Sequence, residues 1–196
     1  MATKQTKNSA DIVISGAGAA GLTLAILLAR GGLKVCVIDP SNKKALSDNS
    51  ISGRTVALMN SSLNILKAAY VWPALQEQSN SLRTMTLMDV SRKEPVEEPF
   101  DANDIGEDQF GFNVPNNALR AALFKVASDE KNITFYLKCK LYDYDVSGSS
   151  VHVRLDDKKE LKARLLIGAD GRISAVRALA GIDVLKRDYN LCALSL

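Results

Sequence analysis

The stretch DIVISGAGAAGLTLAILLARGGLKVCVID, residues 11–39, decides the fold of this chain. It begins with the short apolar run of residues 12–14, which suits a buried strand of a parallel sheet. Apolar residues then recur at helical spacing, at Leu22, Ala25, Ile26 and Ala29. A Gly31-Gly32 pair ends this helix, and the β-branched run of residues 34–38 predicts a second strand. A right-handed crossover, which nearly all such units adopt, would make the two strands parallel neighbours.

The turn between the first strand and the helix carries the pattern G-x-G-x-x-G at residues 16–21. Gly16 permits a tight turn, Gly18 lets the backbone approach a diphosphate, and Gly21 allows the helix and the strand to pack closely. Because the pattern also occurs at ordinary helix starts, it is informative here only because it lies between a strand and a helix. This position predicts a dinucleotide site, with a purely structural glycine turn as the alternative.

Two further features agree with a dinucleotide site. Ala19 and Ala20 open the helix, and the positive end of the helix dipole at that point would hold the diphosphate. Asp39 ends the second strand, 23 residues after Gly16. A carboxylate in that place can accept hydrogen bonds from both ribose hydroxyls of an adenosine and would repel a 2′-phosphate.

The order of the later elements separates two classes of dinucleotide-binding protein. A plain nicotinamide-dependent dehydrogenase would continue with another helix and strand at short spacing. Here nearly a hundred residues intervene before a strand at residues 133–137, which is followed by a meander of short strands and the apolar segment of residues 161–167. This order is typical of an α/β, Rossmann-like FAD/NAD(P)-binding domain of the glutathione-reductase type with a β-meander.

The segment of residues 170–177, DGRISAVR, follows that apolar segment and fits the pattern D-G-x-x-S-x-x-R. A strand that ends in such a turn can place Asp170, Gly171 and the start of the next helix close to the diphosphate of a dinucleotide. The alternative is a tight turn followed by an ordinary helix whose N-cap is Ser174.

Two more segments complete a series, GRTVAL at residues 53–58 and FGFNVPNNAL at residues 110–119. In this order, the segments over residues 11–181 resemble those of the FAD-dependent monooxygenases that hydroxylate aromatic rings. They are most similar to ubiquinone-biosynthesis hydroxylases of the 2-octaprenyl-phenol hydroxylase type. The resemblance implies that Arg54 reaches the FAD diphosphate or ribose and that Asn117 approaches the cofactor. Asn116 and Asn117 serve equally well as helix caps.

The resemblance also implies an activity. In that family NAD(P)H reduces the flavin, and O₂ provides the oxygen atom that is transferred to an electron-rich aromatic substrate, here a phenol or polyprenyl phenol of ubiquinone biosynthesis. The flavin carries out the redox chemistry, while the protein positions the substrate and excludes water. The sequence identifies no catalytic base. A prenylated substrate would bring a cytoplasmic protein to the membrane surface, although this chain shows no amphipathic anchor.

Members of that family are much longer, and their second half carries most of the substrate-binding sheet and a G-D motif that this sequence lacks. We therefore expect an FAD-binding domain over residues 1–185, with an excursion toward the substrate domain at about residues 80–112. Residues 186–196 are expected to begin a truncated substrate-binding domain, with a first strand at residues 189–196. Its unpaired edge would favour self-association. The alternative function is a non-catalytic nucleotide-binding fragment or interaction module.

Composition excludes several other classes of protein. The 196 residues are 46% hydrophobic and 24% charged, as in globular proteins, and the net charge of +3 is too small to indicate a nucleic-acid partner. The three cysteines are far apart and form no CxxC pair, which disfavours a disulfide framework or a metal site. The one histidine, His152, is predicted on the outward face of a strand. The acidic stretch of residues 94–108 holds seven carboxylates and no base, and it reads as a solvated loop.

Overall fold

The computed structural model of the chain describes residues 9–50, 53–91 and 93–192. Among these residues the chain forms two compact units, one of residues 9–49 and 120–192 and the other of residues 50–119. The stretch of residues 80–112, which the sequence predicts as an excursion, lies inside the second unit.

The secondary structure of the described residues consists of twelve strands, five α-helices and three short 3-10 helices (Trp72–Ala74, Gln76–Gln78 and Ala102–Ile105). The helices are α1 (Ala19–Arg30), α2 (Lys43–Leu46), α3 (Asn60–Ala68), α4 (Asn116–Asp129) and α5 (Ala175–Leu179). The strands are β1 (Ile12–Ser15), β2 (Val35–Asp39), β3 (Thr55–Met59), β4 (Asn80–Leu82), β5 (Thr84–Asp89), β6 (Val96–Asp101), β7 (Gly111–Pro115), β8 (Ile133–Leu137), β9 (Leu141–Ser147), β10 (Ser150–Leu155), β11 (Glu160–Ala163) and β12 (Leu165–Gly168).

A parallel sheet in the order β12-β1-β2-β8 is the centre of the first unit. The predicted pairing of β1 with β2 is confirmed, with Ser15 opposite Ile38. On its other side β1 pairs with β12, so that Ser15 also lies beside Gly168. The sequence predicts one segment over residues 161–167, but the structure divides it into β11 and β12. Arg164 separates them, and its N–H donates to the carbonyl of Asp11 (3.0 Å).

The sheet is covered on both faces, as its continuous apolar strands require. One face packs on the antiparallel meander β9-β10-β11, and Val13, Cys36 and Ile38 contribute to this core. The alternate residues of β1 and β2 point to the other face, where the predicted apolar side of α1 is buried. Phe124 of α4 meets Phe135 of β8 edge-on, with ring centroids 5.1 Å apart. The Rossmann-like fold with a β-meander is thus confirmed.

The second unit contains an antiparallel sheet in the order β3-β7-β4 and a separate two-stranded ribbon, β5-β6. Gly111 of β7 has no room for a side chain, because a Cβ would overlap the carbonyl of Leu58. Trp72 is buried and contacts Phe112 edge-on, with ring centroids 4.8 Å apart. Other core residues of this unit are Leu63, Leu66, Ala69, Val71, Leu75, Ala102 and Val114.

Three local predictions differ from the structure. The acidic stretch of residues 94–108 is not simply a loop, because it contains β6, which pairs with β5 along its whole length. Tyr70 does not belong to the buried face of α3, since 74% of its surface is exposed. In the stretch expected to form a terminal strand, residues 189–192 form none, and residues 193–196 lie outside the described part of the chain.

Candidate dinucleotide-binding site

The turn that follows β1 is pressed against the turn that follows β12. The Ala169 N–H donates to the Ser15 carbonyl (2.7 Å), and the Gly16 N–H donates to the Ile38 carbonyl (2.7 Å). Gly16 has a φ of +112°, and a Cβ there would overlap the carbonyl of Ala169. Gly16 is therefore required by the crossing of two chain segments as well as by the tight turn. This crossing brings together two motifs that lie about 150 residues apart in the sequence.

The three glycines of the first motif have different surroundings. A Cβ at Gly21 would overlap the carbonyl of Gly16, so this glycine allows α1 to pack against the turn. At Gly18, in contrast, no atom lies within 4 Å of the position that a Cβ would take. Gly18 is the N-cap of α1 and provides no side-chain cap for its first N–H groups. The space above Gly18, Ala19 and Ala20 is therefore open, as the approach of a diphosphate requires.

Asp39 fixes the loop beside this space. Its Oδ2 accepts from the Ala17 N–H (2.7 Å), and its Oδ1 accepts from the Ser41 N–H (2.8 Å). A carboxylate has about four lone-pair positions, so each oxygen can accept one more hydrogen bond. Asp39 can thus hold the turn of the first motif in place and still accept from ribose hydroxyls.

The second motif is held together by its own polar side chains. Asp170 accepts from the Ser174 hydroxyl (2.5 Å) and from the Ala175 N–H (2.7 Å). Ser174 caps α5 by accepting from the Arg177 N–H (3.0 Å), and the Arg177 guanidinium donates to the Arg172 carbonyl (2.8 Å). The capping role that the sequence offers as the alternative for Ser174 is therefore present. Gly171, with a φ of +85°, makes the turn that this arrangement needs.

These segments surround one cleft of about 530 Å³ in the first unit. Its lining residues come from four segments: Ser15, Gly16 and Gly18; Ile38, Asp39 and Pro40; Cys139, Lys140 and Leu141; and Ala169, Asp170, Gly171, Ile173 and Ala175. The sequence predictions include residues of three of these segments and miss Cys139, Lys140 and Leu141. Their location follows from the sheet order, because β8 lies beside β2 and the residues beyond its carboxyl end reach the same edge of the sheet.

Arg54 and Asn117 lie in the second unit, where their segments are joined to each other. The Arg54 carbonyl accepts from the Asn116 N–H (3.0 Å), and the Asn117 Nδ2 donates to the Ser50 carbonyl (3.2 Å). Asn116 is the first residue of α4, in agreement with the predicted helix start. The structure thus brings Gly16, Gly18, Asp39, Asp170 and Gly171 to one cleft, and it places Arg54 near Asn117.

Cys36, Cys139 and His152 are not arranged as nucleophiles. Burial raises the pKa of the Cys36 thiol to about 11 and also raises the pKa of Cys139, so both thiols are protonated at neutral pH. Cys139 donates to the Tyr136 carbonyl (3.3 Å). His152 lies on β10 between the buried residues Val151 and Val153, and pairs across the strands with Asp145 and Lys162. It therefore points away from the core, as predicted.

The fold and the cleft define a dinucleotide-binding domain of the flavoprotein type. Comparison with known families agrees, since the FAD binding domain family matches residues 9–194. The chain belongs to this family, whose cofactor is FAD.

Individual relatives of this chain include proteins named as hydroxylases of ubiquinone or demethoxyubiquinol. The ubiquinone hydroxylase UbiM of Neisseria meningitidis is 31% identical over 183 residues, which are 92% of this chain and 40% of that protein. The 3-demethoxyubiquinol 3-hydroxylase of Escherichia coli is 28% identical over 91% of this chain and 46% of its own length. The chain therefore spans less than half the length of these relatives.

Among solved structures, the crystal structure of PqsL, a probable FAD-dependent monooxygenase from Pseudomonas aeruginosa, has the same fold. It superposes with a TM-score of 0.74 at 24% identity, over 93% of this chain and 48% of that one. No helix in the described part of this chain is long and apolar enough to cross a membrane.

Proposed function

We propose that the first unit binds the ADP portion of FAD in its cleft. The observation that carries this proposal is the crossing of the Gly16 turn with Ala169 and Asp170, by which two distant motifs line a single cleft. The diphosphate would lie over Gly18 at the N-terminus of α1, because the absence of a side chain leaves open space there. Asp39 would accept from the ribose hydroxyls. Membership of the FAD binding domain family favours FAD over other dinucleotides.

We also propose that Arg54 and Asn117 contact FAD, because their segments, residues 53–58 and 110–119, resemble those of the flavoprotein hydroxylases. Arg54 would place its guanidinium on the diphosphate or ribose, and Asn117 would use its amide oxygen, since its Nδ2 already donates to Ser50. Bound FAD would supply the redox chemistry and the activation of O₂. Within the cleft, the protein contributes a fixed turn at Gly16, a carboxylate held by two N–H donors at Asp39 and a helix end at Gly18.

The activity that we propose is the hydroxylation of an aromatic ring, with NAD(P)H as electron donor and O₂ as co-substrate. A phenol or polyprenyl phenol of ubiquinone biosynthesis is the substrate class. Support comes from the relatives that carry the names ubiquinone hydroxylase and 3-demethoxyubiquinol 3-hydroxylase. Because the chain spans less than half of these relatives, the proposal concerns the reaction in which this domain takes part.

Location and association complete the proposal. We place the protein in the cytoplasm, at the membrane surface when it meets a prenylated substrate. Co-sedimentation with phospholipid vesicles that contain ubiquinone precursors should capture the chain, and absence of the chain from the pellet would contradict this location.

We also propose self-association, which the exposed apolar side chains of Leu185, Tyr189 and Leu191 support. Light scattering that gives the molar mass of a monomer at every protein concentration would contradict self-association.

The test of FAD binding and activity uses the purified chain. Titration with FAD should give the visible spectrum of a protein-bound flavin, and anaerobic NAD(P)H should bleach it. If the flavin binds but is not bleached, the second candidate function, a nucleotide-binding module without redox activity, is favoured. That candidate has its own support, since the cleft is complete within one unit. A chain that binds no FAD would overturn the first function, and a chain that binds neither FAD nor ADP would overturn both.

A further inference from the structure

The cleft has an uneven distribution of charge. Two carboxylates line it, Asp39 and Asp170, and Lys140 is the one cation among its described lining residues. Both carboxylates already accept hydrogen bonds from neighbouring N–H groups, and Asp170 also accepts from a hydroxyl. The hydrogen bonds of Lys140 in the described part of the chain are made by its backbone, not by its side chain. Its ammonium group is thus the charged group of the cleft whose role is still unassigned.

The backbone around Lys140 is fixed. Its N–H donates to Asp156 Oδ1 (2.9 Å), and its carbonyl accepts from the Asp156 N–H (3.0 Å). The neighbouring residues Cys139 and Leu141 are buried, with 3% and 6% of their surfaces exposed, whereas Lys140 is exposed. Lys140 therefore lies in the cleft lining on an anchored segment, so its backbone does not have to be ordered when a ligand binds.

The sheet order locates Lys140 along the bound nucleotide. The diphosphate position lies at the end of β1, Asp39 is at the end of β2, and Lys140 follows β8, the next strand. Neighbouring strands are about 4.8 Å apart, so the end of β8 lies roughly 10 Å from the end of β1. The part of the nucleotide beyond the ribose is the base. Apolar residues line the cleft there, at Ile38, Pro40 and Leu141, and suit the faces of a flat ring.

We propose that Lys140 is a base-contacting residue of the nucleotide site. Its ammonium would donate a hydrogen bond to a ring nitrogen of adenine, while the apolar wall contacts the ring faces. Ring nitrogens of adenine are acceptors, and an ammonium group has three donors. This inference rests on the proposed binding of FAD and adds a residue and the chemistry that it recognises.

The experiment compares Lys140→Met, which keeps the length of the side chain and removes its charge and donors, with the unchanged chain. Affinities for FAD, ADP and adenosine are measured by calorimetry at low and at moderate salt. Lys140→Met should weaken all three by a similar factor, roughly threefold to tenfold, because all three contain adenine. Lys125→Met, at an exposed position of α4 outside the cleft, controls for the loss of one positive charge.

The outcomes separate this inference from the function on which it rests. If the unchanged chain binds none of these ligands, the proposed function itself fails. If the unchanged chain binds them and Lys140→Met binds equally well, Lys140 has no part in the site. Weaker binding of FAD and ADP, with adenosine unaffected, would place Lys140 on the diphosphate and overturn the base contact. Lys140→Arg, which retains the donors, should recover part of the affinity.

Discussion

The two units of this chain bury their strands in different ways. In the first unit, β1 is buried along its whole length and β2 along all but its last residue. In the second unit, β3 alternates between exposed and half-buried residues, and β5 and β6 are exposed except at Asp89 and Asp101. Met85, Leu87 and Phe100 of the ribbon expose 62%, 63% and 45% of their surfaces.

The difference indicates where stability is concentrated, and the same unit holds the proposed cofactor site. The first unit has a sheet covered on both faces and a cleft at the carboxyl edge of its strands, as the parallel arrangement provides. The ribbon of the second unit is exposed along nearly all of both strands. A two-stranded ribbon by itself has little stability. We therefore expect substitutions in the first unit to change stability and ligand affinity strongly, and substitutions on the ribbon to change them little.

The largest effect is expected for Gly21→Ala. The added methyl group would overlap the Gly16 carbonyl, so α1 or the turn would have to move, at a cost of about 3 kcal/mol or more in the free energy of unfolding. Gly18→Ala is the matched control and should cost less than about 1 kcal/mol, because its Cβ meets no atom. Urea unfolding followed by far-UV circular dichroism measures both variants.

The same experiment can compare the units directly. Trp72 is the one tryptophan of the chain and lies in the second unit. If the units unfold separately, Gly21→Ala should lower the transition seen by circular dichroism and leave the transition seen by Trp72 fluorescence in place. A Gly21→Ala variant as stable as the unchanged chain would refute the packing described for the turn.

The second prediction concerns the buried thiol of Cys36 at alkaline pH. Burial raises its pKa from 9.0 to about 11, so the folded chain holds the thiol proton more tightly than the unfolded chain does. This stabilising contribution is complete below about pH 9 and is lost as the pH rises towards 11, by on the order of 2–3 kcal/mol. The measurement is the free energy of unfolding between pH 8 and pH 11. Cys36→Ala should show a smaller loss over this range, and equal losses in both proteins would count against the prediction.

A smaller effect is expected for Asp39→Asn. The amide offers one acceptor oxygen in place of two and removes the charge that would bind the ribose hydroxyls. The Kd for FAD, measured by calorimetry, should rise roughly tenfold. Asp183→Asn changes an exposed carboxylate outside the cleft and should leave this Kd unchanged. Equal affinity of Asp39→Asn and the unchanged chain would remove Asp39 from the site.

The smallest effect is expected on the ribbon. Leu87→Ser replaces an apolar side chain that exposes 63% of its surface, so the free energy of unfolding should change by less than about 0.5 kcal/mol. Trp72 fluorescence during urea unfolding reports the change in this unit. A loss greater than about 1 kcal/mol would show that Leu87 is covered in solution, and the contrast between the units would then be smaller than described.

The contrast also explains how much of the fold could be predicted from the sequence. The strand–helix–strand unit is dictated by local patterns, since residues 12–14 and the helical repeat of α1 each identify their own element. The β6 strand has no such pattern, because it combines Glu97 and Glu98 with Pro99 and owes its structure to pairing with β5. Sequence patterns identify elements whose own apolar residues are buried. A strand that forms only by pairing with another strand is predicted as a loop.

The same distinction applies to the candidate site. Gly16, Gly18 and Gly21 could be predicted because their pattern lies within one turn, whereas the contact of Gly16 with Ala169 depends on the tertiary fold. The division of residues 161–167 at Arg164 could not, since it depends on which sheet each half joins. Lys140 was missed for a related reason: it shares the cleft with Asp39, and only the sheet order brings the ends of β2 and β8 to one edge.

The most direct test of the central claim, that FAD binds over the open N-terminus of α1, is a calorimetric titration of FAD into the unchanged chain and into Gly18→Ala. The variant should retain its stability and lose at least about tenfold in affinity, because the methyl group occupies the space of the diphosphate. Equal binding by the two proteins, or no binding by the unchanged chain, would contradict the claim.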